Sequence, residues 1–234
     1  MRKIAFGLLG LAVFGMAACS PPAAPPRAEA PAAAEAPAPI AAPAGDYKLD
    51  PNHASLVFRV PHMGLSNYTL RFAKLDADVT FDPANITAST LVATVDPKSI
   101  RSDYPGDYRG AHPRGPYRSW DEDLAMSGRF LNAGEHPSIT FRSTGIERTG
   151  PNTARITGDL TLLGQTHPVT LETRLVGSMA NHPAYGGGAF GVEAKAVFDR
   201  TLFGLDYMAQ NGGGVSVEFN GEFKQVVAPA TATP

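Results

Sequence analysis

Residues 158–177, GDLTLLGQTHPVTLETRLVG, place Leu160, Leu162, Val169, Leu171 and Leu175 on one side and Asp159, Thr161, Thr170, Glu172 and Arg174 on the other. A period of two belongs to a strand with one wet and one dry face, and Gln165-Thr166-His167-Pro168 reads as the turn between two such strands. The alternation recurs along most of the chain. ASLVFRV aligns Leu56, Phe58 and Val60, and STLVATVD aligns Leu91, Ala93 and Val95. SITFRSTGIE aligns Ile139 and Phe141, GAFGVEAKAVFDR aligns Val192, Ala194, Ala196 and Phe198, and GVSVEFNGEF aligns Val215, Val217, Phe219 and Phe223. In YTLRFAKLDADVTFD the parity of Phe72 is opposite to that of Leu75, Ala77, Val79 and Phe81, which implies a bulge near Ala73-Lys74. About eight strands result.

Only SWDEDLAM carries a convincing helix signal, with Ser119 and Glu122 spaced as a capping box. One or two helical turns cannot cover the dry faces of eight strands. Two sheets face to face would cover them, as would one sheet closed on itself. A sandwich has a solid interior, whereas an eight-stranded barrel is either filled by its own side chains or holds one small ligand. Pattern alone leaves both open.

The strands occupy residues 46–226, a size that one all-β domain commonly reaches. Before them stands MRKIAFGLLGLAVFGMAACS, with Arg2 and Lys3 ahead of a short apolar run and Ala17-Ala18 ahead of Cys19, the only cysteine. Residues 1–18 read as a secretory signal peptide. The Met16-Ala17-Ala18-Cys19 order resembles a bacterial lipobox, which implies lipidation of Cys19, and Ser20 after it resembles sorting to the outer membrane from the periplasmic side. Residues 19–45 are almost all alanine and proline and read as a disordered tether, able to reach roughly 80 Å at about 3.1 Å per residue. Residues 227–234 read as a disordered tail. Loss of Arg2 and Lys3 leaves 18 basic against 22 acidic side chains, a net charge of about −4. Nothing in that balance suggests a nucleic-acid partner, and with Cys19 lipidated no internal disulfide forms.

Motifs for chemistry are missing. His53, His62, His112, His136, His167 and His182 form no H-x-H or H-E-x-x-H pair, and four of the six precede proline, as loop residues do. There is no G-x-S-x-G elbow, and the runs GGGAFG at 186–191 and NGGG at 211–214 lead into strands rather than helices, which makes them turns rather than phosphate cradles. Asp121, Glu122 and Asp123 cluster where a helix begins and are explained by its dipole. No catalytic residue, metal site or cofactor is expected. Arg59, Arg71, Lys74, Arg101, Arg109, Arg114 and Arg118 read chiefly as solvated surface, with a few available for a phosphate head group.

Four stretches, HASLVFRVPHMGLSNYTLRFAKLDADVTFDP, FLNAGEHPSITFRST, ITGDLTLLGQTHPVTL and FDRTLFGLDYM, resemble in order and wording the YceI-like proteins, across essentially residues 46–223. That resemblance implies a single eight-stranded antiparallel lipocalin-like β-barrel with one short helix. Its apolar tunnel would take a polyisoprenoid or quinone-type lipid without enzymatic chemistry. By the same analogy Phe58, Val60, Phe81, Phe141, Leu160, Leu162, Leu171, Phe198 and Phe219 line the tunnel, and His62 makes a polar contact at its opening. The aromatic and arginine-rich residues 101–123 depart from the family pattern and would alter head-group preference if they border the mouth. A protein partner is not indicated. A filled structural barrel, or an enzyme using His62 with a carboxylate on a lipid-like substrate, are the alternatives.

Overall fold

The computed structural model describes residues 40–184 and 186–227. The signal peptide, Cys19, the tether up to residue 39 and the tail from residue 228 lie outside the described residues. Ten strands and two short helices follow one another: β1 (Gly45–His62), β2 (Ser66–Phe72), β3 (Leu75–Phe81), β4 (Thr90–Val95), β5 (Ile100–Arg101), α1 (Tyr108–Ala111), α2 (Trp120–Met126), β6 (Ile139–Arg148), β7 (Thr153–Leu162), β8 (Gln165–Met179), β9 (Ala189–Asp199) and β10 (Gly214–Gln225).

All pairings are antiparallel, and the sheet closes because β1 pairs with β10 on one side and with β2 and β3 on the other. β2 and β3 are one bent strand, as are β4 and β5, so the closed ring has eight staves. The parity switch expected at Ala73-Lys74 is the bend itself. There Ala73 N–H donates to the Ser99 carbonyl at 3.0 Å and Lys74 N–H to Ser99 Oγ at 2.9 Å, in place of ladder bonds. β1 bends too, its register on β10 slipping between Leu49 and Ala54. At that corner the buried Asp50 carboxylate accepts from Asn52 N–H and from His53 Nδ1, both at 3.0 Å.

The Asp50 hydrogen bond raises the His53 pKa, with added attraction from Asp50 and Glu222 against desolvation and Lys224. A raised imidazole pKa contributes stability that is complete below the unfolded value near 6.5 and is lost as pH rises through the folded value. His53→Ala is therefore expected to destabilise the barrel more at about pH 5 than at about pH 8.5, measured by urea unfolding at both.

Three local readings need correction. The β7–β8 turn is not Gln165–Pro168 but the two residues Leu163 and Gly164, at φ 51° and 74°. A two-residue hairpin matching strand twist needs positive φ at both positions, which Gly164 meets without a Cβ penalty. Pro168 is tolerated in β8 because β9 pairing begins only at Glu172, so its missing N–H faces no partner strand there. The folded part also begins before residue 46. Ala42 is 1% exposed in the core, Ala41 N–H donates to Ser178 Oγ at 2.8 Å and the Tyr47 hydroxyl to the Pro43 carbonyl at 2.7 Å. Finally, α1 accompanies the expected helix.

That expected helix is α2, and Ser119 Oγ accepts from Glu122 N–H at 3.1 Å at its start. The returning arm of the box is displaced by one residue, since Glu122 Oε2 accepts from Arg118 N–H at 2.7 Å. Ser119→Ala is expected to cost about 1 kcal/mol, read as a shift in the denaturant midpoint at unchanged slope.

Candidate functional site

Strand alternation turns the dry faces of all eight staves inward, and they do not meet. They enclose an elongated cavity of about 360 Å³. Its wall runs from Ile40, Ile86 and Pro151, at the end where β1 begins, to Leu131, Arg200 and Leu205, at the end where β10 begins. Between these ends the wall is almost wholly aliphatic and aromatic.

Phe58, Val60, Phe81, Phe141, Leu160, Leu162, Leu171, Phe198 and Phe219 all line this cavity. His62 does not. It shares a face with Val60, but β1 outruns the cavity, and the imidazole stacks on Tyr68 with centroids 4.5 Å apart; Tyr68 in turn packs on Tyr104 at 5.0 Å. The ring stack holds His62 at the rim, away from the apolar wall.

Near the β1-start end four rings converge. Tyr47 and Phe81 each lie 4.8 Å from Phe190, and Phe190 stacks on Phe223 at 5.1 Å. Such rings carry large buried area and fixed relative geometry. Phe190 belongs to the same parity as Val192 and Ala194, so the alternation of β9 would have found it. Phe141 lies against Gly158 of the neighbouring strand, where an added Cβ would come within 2.8 Å of the Phe141 Cε2 atom. The absent side chain makes room for the ring.

The charged residues on the wall are Asp76, Arg148, Lys195 and Arg200, of which the first three are exposed and Arg200 is buried at 7% exposure. Its Nη1 donates to the Leu205 carbonyl at 2.6 Å and to the Tyr207 carbonyl at 3.0 Å, whereas its Nε has no acceptor among the described residues. Burial pushes the Arg200 pKa down, and the charges of Asp199 and Asp206 offset part of that. Sequence reasoning missed Arg200. The signal was present, because residue 200 continues the inward parity of Ala196 and Phe198, but a charge after a strand's last apolar position reads as its solvated end.

The remaining charges serve the outer surface. Arg174 pairs with Glu193 at 2.7 Å, Arg155 with Glu172 at 3.0 Å, and Arg59 with Glu218 at 3.1 Å. Arg71 grips Asp103 through Nε and Nη2, and Arg109 donates to the Gly115 and Tyr117 carbonyls. None of these arginines borders the cavity. The helix-start carboxylates are likewise engaged: Asp121 accepts from Ser102, and buried Asp123 accepts from the Tyr108 hydroxyl at 3.1 Å and from Arg129. Burial first, then this bond to Asp123, raises the Tyr108 pKa. Among the described residues no group of three or more His, Cys, Asp and Glu side chains is gathered for a metal ion. From residues 101–138 the cavity receives only Leu131, while Leu124 and Ala125 pack beside Leu70 and Ile100.

Known proteins share this architecture. A UPF0312 protein of Vibrio cholerae is 34% identical over 167 residues, covering 70% of this chain and 80% of its own length. One of Pseudomonas paraeruginosa is 37% identical over 164 residues, covering 69% and 77%. Among solved structures, BcnA of Burkholderia cenocepacia superposes with a TM-score of 0.60 at 19% identity, over 74% of this chain and 98% of that one. A polyisoprenoid binding domain from Saccharophagus degradans superposes with a TM-score of 0.52 at 14% identity, over 77% and 98%. The family model described as YceI-like domain matches residues 47–224, from the start of β1 to the last residues of β10. With the match running over every stave of the ring, the chain belongs to the YceI-like family.

Proposed function

We propose that this protein carries or stores a long isoprenoid-type lipid, such as a polyprenyl derivative or a quinone, held without covalent chemistry in the barrel interior. The observation that carries the reading is the cavity itself: an apolar bore whose wall runs from one end of the ring to the other, where a barrel serving only as scaffold would be filled to normal packing density. Water gains few partners on such a wall, and a flexible hydrocarbon chain gains burial along its whole length. The Saccharophagus neighbour, described as polyisoprenoid binding, supports the same ligand class. The reading is of binding rather than catalysis, in line with the polyisoprenoid binding neighbour.

Export by residues 1–18 and lipidation at Cys19 complete the proposal. The protein is then held on the periplasmic side of the outer membrane, with the alanine and proline segment as a spacer between bilayer and barrel. Cys19→Ala is expected to move the protein from the membrane pellet to the soluble periplasmic fraction, read by fractionation and immunoblot.

The functional reading is tested by extracting the purified protein with organic solvent and analysing the extract by mass spectrometry. Recovery of an isoprenoid lipid in near-stoichiometric amount is the expected result. Repeated recovery of none, together with no uptake of added isoprenoids, overturns it.

A further inference from the structure

A buried guanidinium is costly unless its charge and its N–H groups are matched. Arg200 is buried on the wall of an apolar cavity, and its two hydrogen bonds both leave from Nη1, to the Leu205 and Tyr207 carbonyls. Nε has no acceptor among the described residues. The adjacent carboxylate makes no hydrogen bond to it; Asp199 Oδ1 accepts instead from Thr201, at 2.9 Å from its N–H and 2.7 Å from its hydroxyl. The Nε and Nη2 edge is the one that presents two parallel donors to an oxygen-bearing group. At the other end of the bore stand the rings of Phe81, Phe190 and Phe223, with no buried charge beside them on the wall.

We propose that Arg200 is the head-group subsite: its guanidinium, which makes hydrogen bonds through Nη1 alone, donates to an oxygen acceptor of the lipid, a carbonyl or a phosphate. The cargo then lies in one direction, polar end under the β9–β10 connection and hydrocarbon tail toward the Phe190 cluster. This rests on the lipid-carrier reading above and adds to it a polarity and a selection rule: an isoprenoid with an acceptor head binds better than the same chain without one.

Three probes of equal chain length separate the possibilities on delipidated full-length protein: a benzoquinone carrying a geranylgeranyl chain, geranylgeranyl phosphate, and the head-less hydrocarbon. The wild-type protein is expected to prefer at least one headed probe by about tenfold or more, as hydrogen bonds to a charged group allow. Arg200→Met is expected to erase that preference while leaving hydrocarbon affinity within about twofold. Which headed probe loses affinity identifies the acceptor as carbonyl or phosphate. Unchanged hydrocarbon binding also shows that the variant retains its bore. Should the variant not fold, the Arg200 Nε–H resonance of the wild-type protein decides: it is expected to shift with the preferred headed probe and not with the hydrocarbon. Equal affinity of the wild-type protein for all three probes, or an unmoved Nε–H signal, overturns the subsite while leaving the carrier reading intact. Failure of all three to bind removes the carrier reading and the subsite with it.

Discussion

Ala194→Phe is expected to lower affinity for a long isoprenoid by at least about tenfold while leaving the barrel folded. Ala194 lies on β9, inward-facing and 8% exposed, between Val192 and Ala196 and opposite Phe219 of β10. The added ring has only the bore to enter, and it removes space from a cavity of about 360 Å³ without breaking a hydrogen bond. Overpacking a filled core costs about 1–3 kcal/mol; here existing space absorbs part of the ring, so the melting temperature is expected to fall by less than that cost implies. Val197→Phe is the control, since Val197 lies on the same strand, is 75% exposed and does not line the bore. Equilibrium binding of a radiolabelled isoprenoid to both variants checks the prediction. Equal loss in both, or none in Ala194→Phe, contradicts the assignment of the inward face.

Gly158→Val is expected to cost about 3 kcal/mol or more. A Cβ at residue 158 meets the Arg142 carbonyl oxygen and the Phe141 ring, the Cε2 atom at 2.8 Å. The ring can turn away into the bore, but the carbonyl belongs to the β6 ladder and cannot move without disturbing the β6–β7 register. For a domain of this size the loss corresponds to a fall of about 6–12 °C in melting temperature, measurable by calorimetry. Combining it with Phe141→Ala is expected to cost less than the sum of the two, because one of the two clashes is then already removed.

The parts of this fold that were legible beforehand are those governed by period two. Eight staves, their inward residues and the bend at Ala73-Lys74 follow from side-chain alternation, a local property of consecutive residues. Closure is different. A sandwich and a barrel present the same alternation, and only the pairing of β1 with β10, whose paired residues Ala54–Arg59 and Ser216–Gly221 lie far apart in the chain, decides between them. The β7–β8 turn was misplaced because Gln165-Thr166-His167-Pro168 has turn-like composition, whereas Leu163, a large aliphatic residue at positive φ, does not look like a turn residue. Ile40–Ala44 escaped notice because alanine and proline carry the same letters whether they extend into solvent or pack against a barrel end. In the site, the apolar wall was legible from parity, but parity did not say which polar residue borders the cavity. His62 has the right parity and lies past the end of the cavity, and Arg200 has the right parity and a charge that suggested solvent.

Carriage of a lipid depends on a hydrocarbon chain lying along the bore, and chain length tests that directly. Delipidated protein is titrated with isoprenoids of one head group and increasing numbers of isoprene units, and each dissociation constant is measured by equilibrium binding. Burial of apolar groups at ~0.8 kcal/mol per methylene, less the cost of ordering the chain, predicts a rise of at least about tenfold in affinity per added unit until the bore is full, then a plateau. Affinity that stays flat from the shortest chain to the longest would contradict it.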